Sequence, residues 1–182
     1  MIEVRWHGRG GQGAVTSVEL LAVSAIAAGK YAQGFPSFGP ERRGAPVAAF
    51  TRIDDKKINV RSGIYEPDVV LVLDSSLIGL VNITDGLKPT GKIIVNTAKS
   101  TAEIRQALNF SGTLATVDGT GIARKEMGVP IANTTMIGAL LKVTGVMGLE
   151  EMKESVEHRF GRIAQKNINA MKRAYDEIII SN

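Results

Sequence analysis

WHGRGGQGAV, Trp6–Val15, places four glycines within ten residues and runs straight into an apolar stretch. Upstream, Ile2-Glu3-Val4-Arg5-Trp6 alternates apolar and charged residues, the period of a strand. Downstream, Ala14 to Ala28 carries one charge, Glu19, and its length and apolarity predict a largely buried helix with Gly29 at its end. Strand, glycine turn and helix in that order open an α/β domain.

The rest of the chain keeps that rhythm. Val47–Ile53 and Lys57–Arg61 read as two strands around Asp54-Asp55, a hairpin that would make the sheet mixed. Asp68–Asp74, Lys92–Thr97 and Gly112–Asp118 are apolar runs of the kind found in strands covered on both faces. Ser75-Ser76 can cap a short helix, Leu77 to Val81, and Ser100 with Glu103 forms a capping box for a helix to Leu108. Further helices are predicted over 120–127, 133–144, 150–159 and 163–179. Residues 31–46 alternate Gly34, Gly39 and Gly44 with Pro36, Pro40 and Pro46, and read as a long loop. Its Phe35 and Phe38 are costly to leave in water. The expected fold is a three-layer α/β/α, Rossmann-like domain over residues 1–182, with a mostly parallel, mixed sheet and a helical C-terminal region.

The spacing Gly8-x-Gly10-x-x-Gly13 matches the dinucleotide fingerprint in the right context. Glycines there let backbone N–H groups reach a phosphate, and the helix dipole holds the charge. The acidic residue that would bind a ribose about 20 residues on is missing: no Asp or Glu lies between Glu19 and Glu41. No Lys-Ser or Lys-Thr pair follows the turn, so it is not a P-loop. The glycines serve either an anion, with Arg9 and Gln12 adding polar contacts, or a tight turn and nothing more.

Polar groups also follow the buried strands: Asp74-Ser75-Ser76, Asn96-Thr97 and Asp118-Gly119-Thr120. Parallel strands would gather them at one sheet edge, where α/β proteins bind ligands; capping alone also explains them. Catalytic groups are scarce. His7 is a candidate general base near the turn, or a structural histidine hydrogen-bonded at the strand end. The chain has no cysteine, hence no disulfide and no thiolate for an iron–sulfur cluster. With two histidines, no metal-ligand spacing is present. A net charge of +4 suits an anionic ligand or an acidic partner, and no nucleic-acid-binding signature accompanies it. The basic stripe Arg159, Arg162, Lys166, Arg173 reads as a solvated face. No secretory pattern and no apolar run of about 18 residues is present, so the expected location is the cytoplasm, away from any membrane.

Two segments together, HGRGGQGAVT (His7–Thr16) and FPSFGPERRGAPV (Phe35–Val47), resemble the γ subunits of 2-oxoacid:ferredoxin oxidoreductases. The likeness is strongest to the pyruvate members, with the branched-chain 2-oxoacid members next, and it extends over essentially the whole chain. The resemblance implies one subunit of an enzyme that decarboxylates a 2-oxoacid, captures the acyl group on coenzyme A and reduces ferredoxin. It implies α and β partners holding thiamine diphosphate, magnesium and iron–sulfur clusters, and a ferredoxin-like δ subunit. It also implies that this chain, inactive alone and binding no cofactor of its own, helps to hold coenzyme A. The residues expected at that contact are Gly8, Arg9, Gly10, Gly11, Gln12, Gly13, Arg42 and Arg43. Phe35 and Phe38 are expected to anchor the chain to its partners. A stand-alone nucleotide-binding protein is the competing expectation.

Overall fold

The computed structural model describes residues 1–37 and 43–182. Strand β1 (Ile2–Arg9) runs into the glycine turn and then into α1 (Ala14–Ala27). Strands β2 (Tyr31–Pro36) and β3 (Pro46–Asp54) come next, followed by β4 (Val69–Val72), β5 (Lys92–Asn96), α2 (Thr101–Leu108), β6 (Leu114–Val117) and α3 (Gly119–Met127). The C-terminal region holds α4 (Asn133–Thr144), α5 (Lys153–Phe160), α6 (Ala164–Glu177) and a short strand, β7 (Ile179–Ser181).

The strands form one seven-stranded sheet, ordered β2-β3-β1-β4-β5-β6-β7. Strands β1, β4, β5 and β6 pair in parallel, while β3 and β7 run against their neighbours. The sheet is therefore mixed and mostly one-directional. Alternation along the strands divides the core. Val4, Trp6, Ala49, Leu71, Ile94 and Ala115 pack beneath α1 and the α3–α6 helices. Val70, Val72, Ile93, Val95 and Leu114 face the other way, under α2 and the segment carrying Leu77 and Ile83. That is the expected three-layer arrangement, with unequal layers.

Four expectations are corrected. Residues 31–36 are an edge strand, not part of a loop. Proline is tolerated at the end of such a strand, and Gly34 is needed because a Cβ there would lie 2.8 Å from Val18 Cγ1 and 2.9 Å from the Val18 carbonyl oxygen. The hairpin around Asp54-Asp55 does not form, since β3 has β2 on one side and β1 on the other and offers no free edge. Residues 57–63 are tied by side chains instead: Gln33 Nε2 donates to the Val60 carbonyl at 3.1 Å and Arg52 Nη2 to that of Gly63 at 3.0 Å. The last helix ends at Glu177, and Ile179–Ser181 pair antiparallel with β6. The predicted 77–81 helix shrinks to a single 3-10 turn, Ser75–Leu77, capped by Asp74. Phe38 and Arg42 lie outside the described residues.

Candidate functional site: the glycine turn and the strand ends

Parallel pairing puts the C-terminal ends of β1, β4, β5 and β6 along one edge, and the polar residues that follow them meet there. Asn96 Nδ2 donates to the Leu73 carbonyl at 2.8 Å and to Thr120 Oγ1 at 2.8 Å, and Asn96 Oδ1 accepts from the Thr120 N–H at 3.1 Å. Asp118 Oδ1 accepts from the Gly121 N–H at 2.8 Å and caps α3. Capping and gathering are thus both realised. A crevice of about 120 Å³ opens between Gly11, Gln12, Asn96, Thr120, Pro130 and Asn133. A shallower hollow of about 310 Å³ continues over Asp74, Thr97 and Asp118.

The turn is built by glycines in left-handed backbone, Gly11 at φ 92° and Gly13 at φ 81°. Gly13 sits at the N-cap of α1; among the described residues no side chain caps that helix, and its own first turn carries no acidic residue. The helix N-terminus is a positive end whose N–H groups no cap claims among the described residues.

Much of what approaches the glycines is the chain itself. The Gly10 N–H donates to the Ala45 carbonyl at 2.9 Å, and the Gly44 N–H to the Gly10 carbonyl at 3.0 Å. Asn133 packs on Gly13, its Nδ2 3.5 Å from the Gly13 carbonyl oxygen. Gly8 is held close by the side chains of Leu73, Gln12 and Ala14.

Arg9 and Gln12 turn inward. Arg9 Nε donates to Asp74 Oδ2 at 3.1 Å, Nη1 to the Gly44 carbonyl at 3.1 Å and Nη2 to Ser76 Oγ at 2.8 Å. Gln12 Oε1 accepts from the Arg9 N–H at 2.7 Å while its Nε2 donates to Asp74 Oδ2 at 2.8 Å. Burial raises the Asp74 pKa, but hydrogen bonds from Ser76 and Gln12 and the Arg9 charge outweigh it and hold the carboxyl below its usual range. Arg43 is exposed and lies against the turn, its Cγ 3.9 Å from where a Gly11 Cβ would stand. Asp74 is the residue that sequence reasoning undervalued. It was visible as a strand-end acid, but nothing in the spacing told that Arg9 and Gln12 would reach it.

His7 is less useful to catalysis than its position suggests. Strand alternation points it away from α1. Its Nε2 is buried and makes no hydrogen bond among the described residues. Burial, and secondarily the charge of Arg5, lower its pKa to about 4, which leaves it neutral and weakly basic at neutral pH.

A roomier groove of about 500 Å³ runs between α1 and α5, lined by Leu20, Val23, Ala27, Glu154, His158 and Arg159. Its walls are mostly apolar, and it gathers no network like that at the strand ends.

Fold and turn together define a Rossmann-like α/β domain whose glycine turn presents an open helix N-terminus at the sheet edge. The sequence pattern of the family described as pyruvate ferredoxin/flavodoxin oxidoreductase matches residues 3–177, and the chain belongs to that family. It is 52% identical to the pyruvate/ketoisovalerate oxidoreductases common subunit gamma of Thermococcus kodakarensis, covering 99% of this chain and 98% of the relative. It is 49% identical to pyruvate synthase subunit PorC of Methanocaldococcus jannaschii, covering 98% of each. The crystal structure of pyruvate oxidoreductase subunit PORC from Thermotoga maritima superposes with a TM-score of 0.90 at 40% identity, over 100% of this chain and 98% of that one.

Proposed function

We infer that this chain is the γ subunit of a multi-subunit pyruvate:ferredoxin oxidoreductase, and that its glycine turn holds an anionic phosphate of coenzyme A. In that reaction the C1–C2 bond of pyruvate breaks, carbon dioxide leaves, the coenzyme A thiol gives up its proton, and the acyl carbon bonds to the sulfur. The electron pair released passes to ferredoxin. The observation that carries the ligand role is the N-terminus of α1, which has no side-chain cap among the described residues and no acidic residue in its own first turn, beside the strand-end crevice. Arg43, exposed beside Gly11, adds a cation to the same edge.

The division of labour follows from what the chain lacks. Without cysteine it supplies no thiolate to a cluster. Thiamine diphosphate, held by partner subunits on this reading, would supply the carbanion chemistry there. This chain binds and orients the acyl acceptor. One outward feature supports a life in an assembly. Val23 and Ile26 are 57% and 56% exposed on α1, a helix whose sequence is apolar nearly all round. No helix among the described residues is long and apolar enough to cross a membrane.

A second reading has a specific motive. The Thermococcus kodakarensis relative is named as common to pyruvate and ketoisovalerate oxidoreductases. The same γ chain would then also serve a branched-chain 2-oxoacid enzyme, with substrate choice made by other subunits.

The test uses the purified complex. Thr16, the third residue of α1, is changed to Glu. A carboxylate in a first helical turn is favourable to the helix, yet it repels a phosphate bound there. The expected result is a rise of about tenfold in the KM for coenzyme A, equivalent to ~1.4 kcal/mol, in pyruvate-dependent viologen reduction. The KM for pyruvate and the subunit composition should stay unchanged. An unaltered coenzyme A KM removes the ligand role. A chain that purifies alone, apart from the activity, removes the subunit role.

A further inference from the structure

We propose that Asp74 is the positioning residue of the glycine turn, fixing through Arg9 and Gln12 the backbone that receives the coenzyme A phosphate. The proposal rests on the ligand role inferred above for that turn.

The two oxygens of Asp74 do different work. Oδ1 is local: it accepts from the Ser76 N–H at 3.0 Å and Ser76 Oγ at 2.6 Å, capping the 3-10 turn. Oδ2 is long-range: it accepts from Arg9 Nε at 3.1 Å and Gln12 Nε2 at 2.8 Å, across more than sixty residues of chain. Capping explains the first set and leaves the second unexplained. The same Gln12 accepts the Arg9 N–H, and the same Arg9 reaches the Gly44 carbonyl. Asp74 therefore joins the end of β4, the glycine turn and the segment leading into β3 into one polar unit.

The need for such a unit is physical. Glycines make the turn able to approach a phosphate, and for the same reason leave it free to adopt other shapes. A binding backbone must be held before the ligand arrives, or the ligand's binding energy is spent ordering it. Asp74 and Arg9 are 22% and 27% exposed, so the pair is sheltered enough to outlast the side-chain mobility that weakens fully exposed pairs. The arrangement leaves Arg43 as an exposed arginine beside the turn among the described residues, with Arg9 committed to bracing.

The experiment compares Asp74→Ala, Asp74→Asn and Thr16→Glu in the purified complex, measuring kcat and the separate KM values for coenzyme A and pyruvate. Asparagine keeps a cap for the 3-10 turn and loses the charge that holds Arg9. Asp74→Ala should raise the coenzyme A KM about tenfold, since small misplacements of a positioning group are expensive. The kcat at saturating coenzyme A and the pyruvate KM should hold within about twofold. Asp74→Asn should fall between wild type and Asp74→Ala, and it remains informative if Asp74→Ala fails to assemble. A coenzyme A KM unchanged in both Asp74 variants overturns the proposal. So does a parallel loss in kcat and in both KM values, which is what a merely structural role would give. If Thr16→Glu is also silent, the ligand reading itself has failed; if Thr16→Glu alone responds, only the role of Asp74 is lost.

Discussion

Asn133, at the start of α4, fills the space that a side chain on Gly13 would need. Two demands meet at that glycine: a left-handed backbone, φ 81°, and contact with the first residue of a helix 120 positions away. Gly13→Ala should therefore cost about 2–4 kcal/mol, from roughly 1–2 kcal/mol of backbone strain plus overpacking. Adding Asn133→Ala should recover the steric part and leave the strain. Urea unfolding of the two single variants and the double variant separates these contributions as a coupling energy.

Gly138, in the middle of α4, makes a sharper case because two effects oppose each other. Alanine in a helix interior is about 1 kcal/mol better than glycine. Here a Cβ at 138 would collide with the backbone carbonyl of Met171, so α4 and α6 could not stay together. The two helices run in the same direction, as Thr134 Oγ1 donating to Asn167 Oδ1 at 2.7 Å and Lys142 Nζ over the Tyr175 ring at 4.8 Å show. A backbone collision in a core built on that pair outweighs propensity, and Gly138→Ala should lose about 2 kcal/mol or more. A rise in the unfolding midpoint would mean the helices are further apart than described.

How far the sequence spoke for this structure depended on whether a signal was local. The order of β1, glycine turn and α1 was legible because period, glycine and apolar length change within a few residues. The Ser100–Glu103 capping box was legible for the same reason and is present. Strand β2 was hidden because Gly34 and Pro36 look like loop residues, while the reason for Gly34 is Val18 of another element. Strand β7 was hidden because Ile178–Ile180 continues the apolar pattern of α6 and only the free edge of β6 makes it a strand. In the site, the glycines and strand-end polar groups were visible, but the bonds of Arg9 and Gln12 to Asp74 are long-range and left no trace in spacing. Arg9 was expected at the ligand contact, and the spacing did not show that its guanidinium also bonds Asp74, Ser76 and the Gly44 carbonyl.

His7 gives a pH dependence with a definite sign. Its pKa is about 4 in the folded chain against 6.5 for an unhindered histidine, lowered by burial first and by Arg5 second. Above about pH 6.5 the imidazole is neutral in both folded and unfolded chains, so the folded state bears no penalty there. As the pH falls toward 4, the unfolded chain takes a proton that the folded chain refuses, and stability is lost. The loss should be about 2 kcal/mol between roughly pH 7 and pH 5. Replacing His7 with leucine should flatten that part of the stability curve while the contributions of the carboxylates remain. Unfolding free energies by urea at the two pH values check it, and an equal slope in wild type and variant would contradict the buried, neutral histidine.

The outward face of α1 predicts how the chain behaves when its partners are missing. The sequence placed candidate contact residues at Phe35 and Phe38. Phe38 lies outside the described residues, and Phe35 is half-buried and stacked on Phe50 at 5.4 Å with Arg52 5.5 Å above it. An aromatic so engaged has much of its surface already covered. Val23 and Ile26 are each more than half exposed, and Val23 lines the apolar groove against α5. Contiguous apolar surface of that kind drives association when nothing native covers it. The chain expressed alone should thus show a mass above that of the monomer in light scattering, rising with concentration through the micromolar range. Val23→Lys with Ile26→Glu should return it to a monomer, without loss of thermal stability, since both side chains already stand in water. In the assembled enzyme the same pair of changes should weaken co-purification of the other subunits if they cover this face. A wild-type chain that stays monomeric at every concentration would show that α1 tolerates water as it stands, and its apolar sequence would then need another explanation.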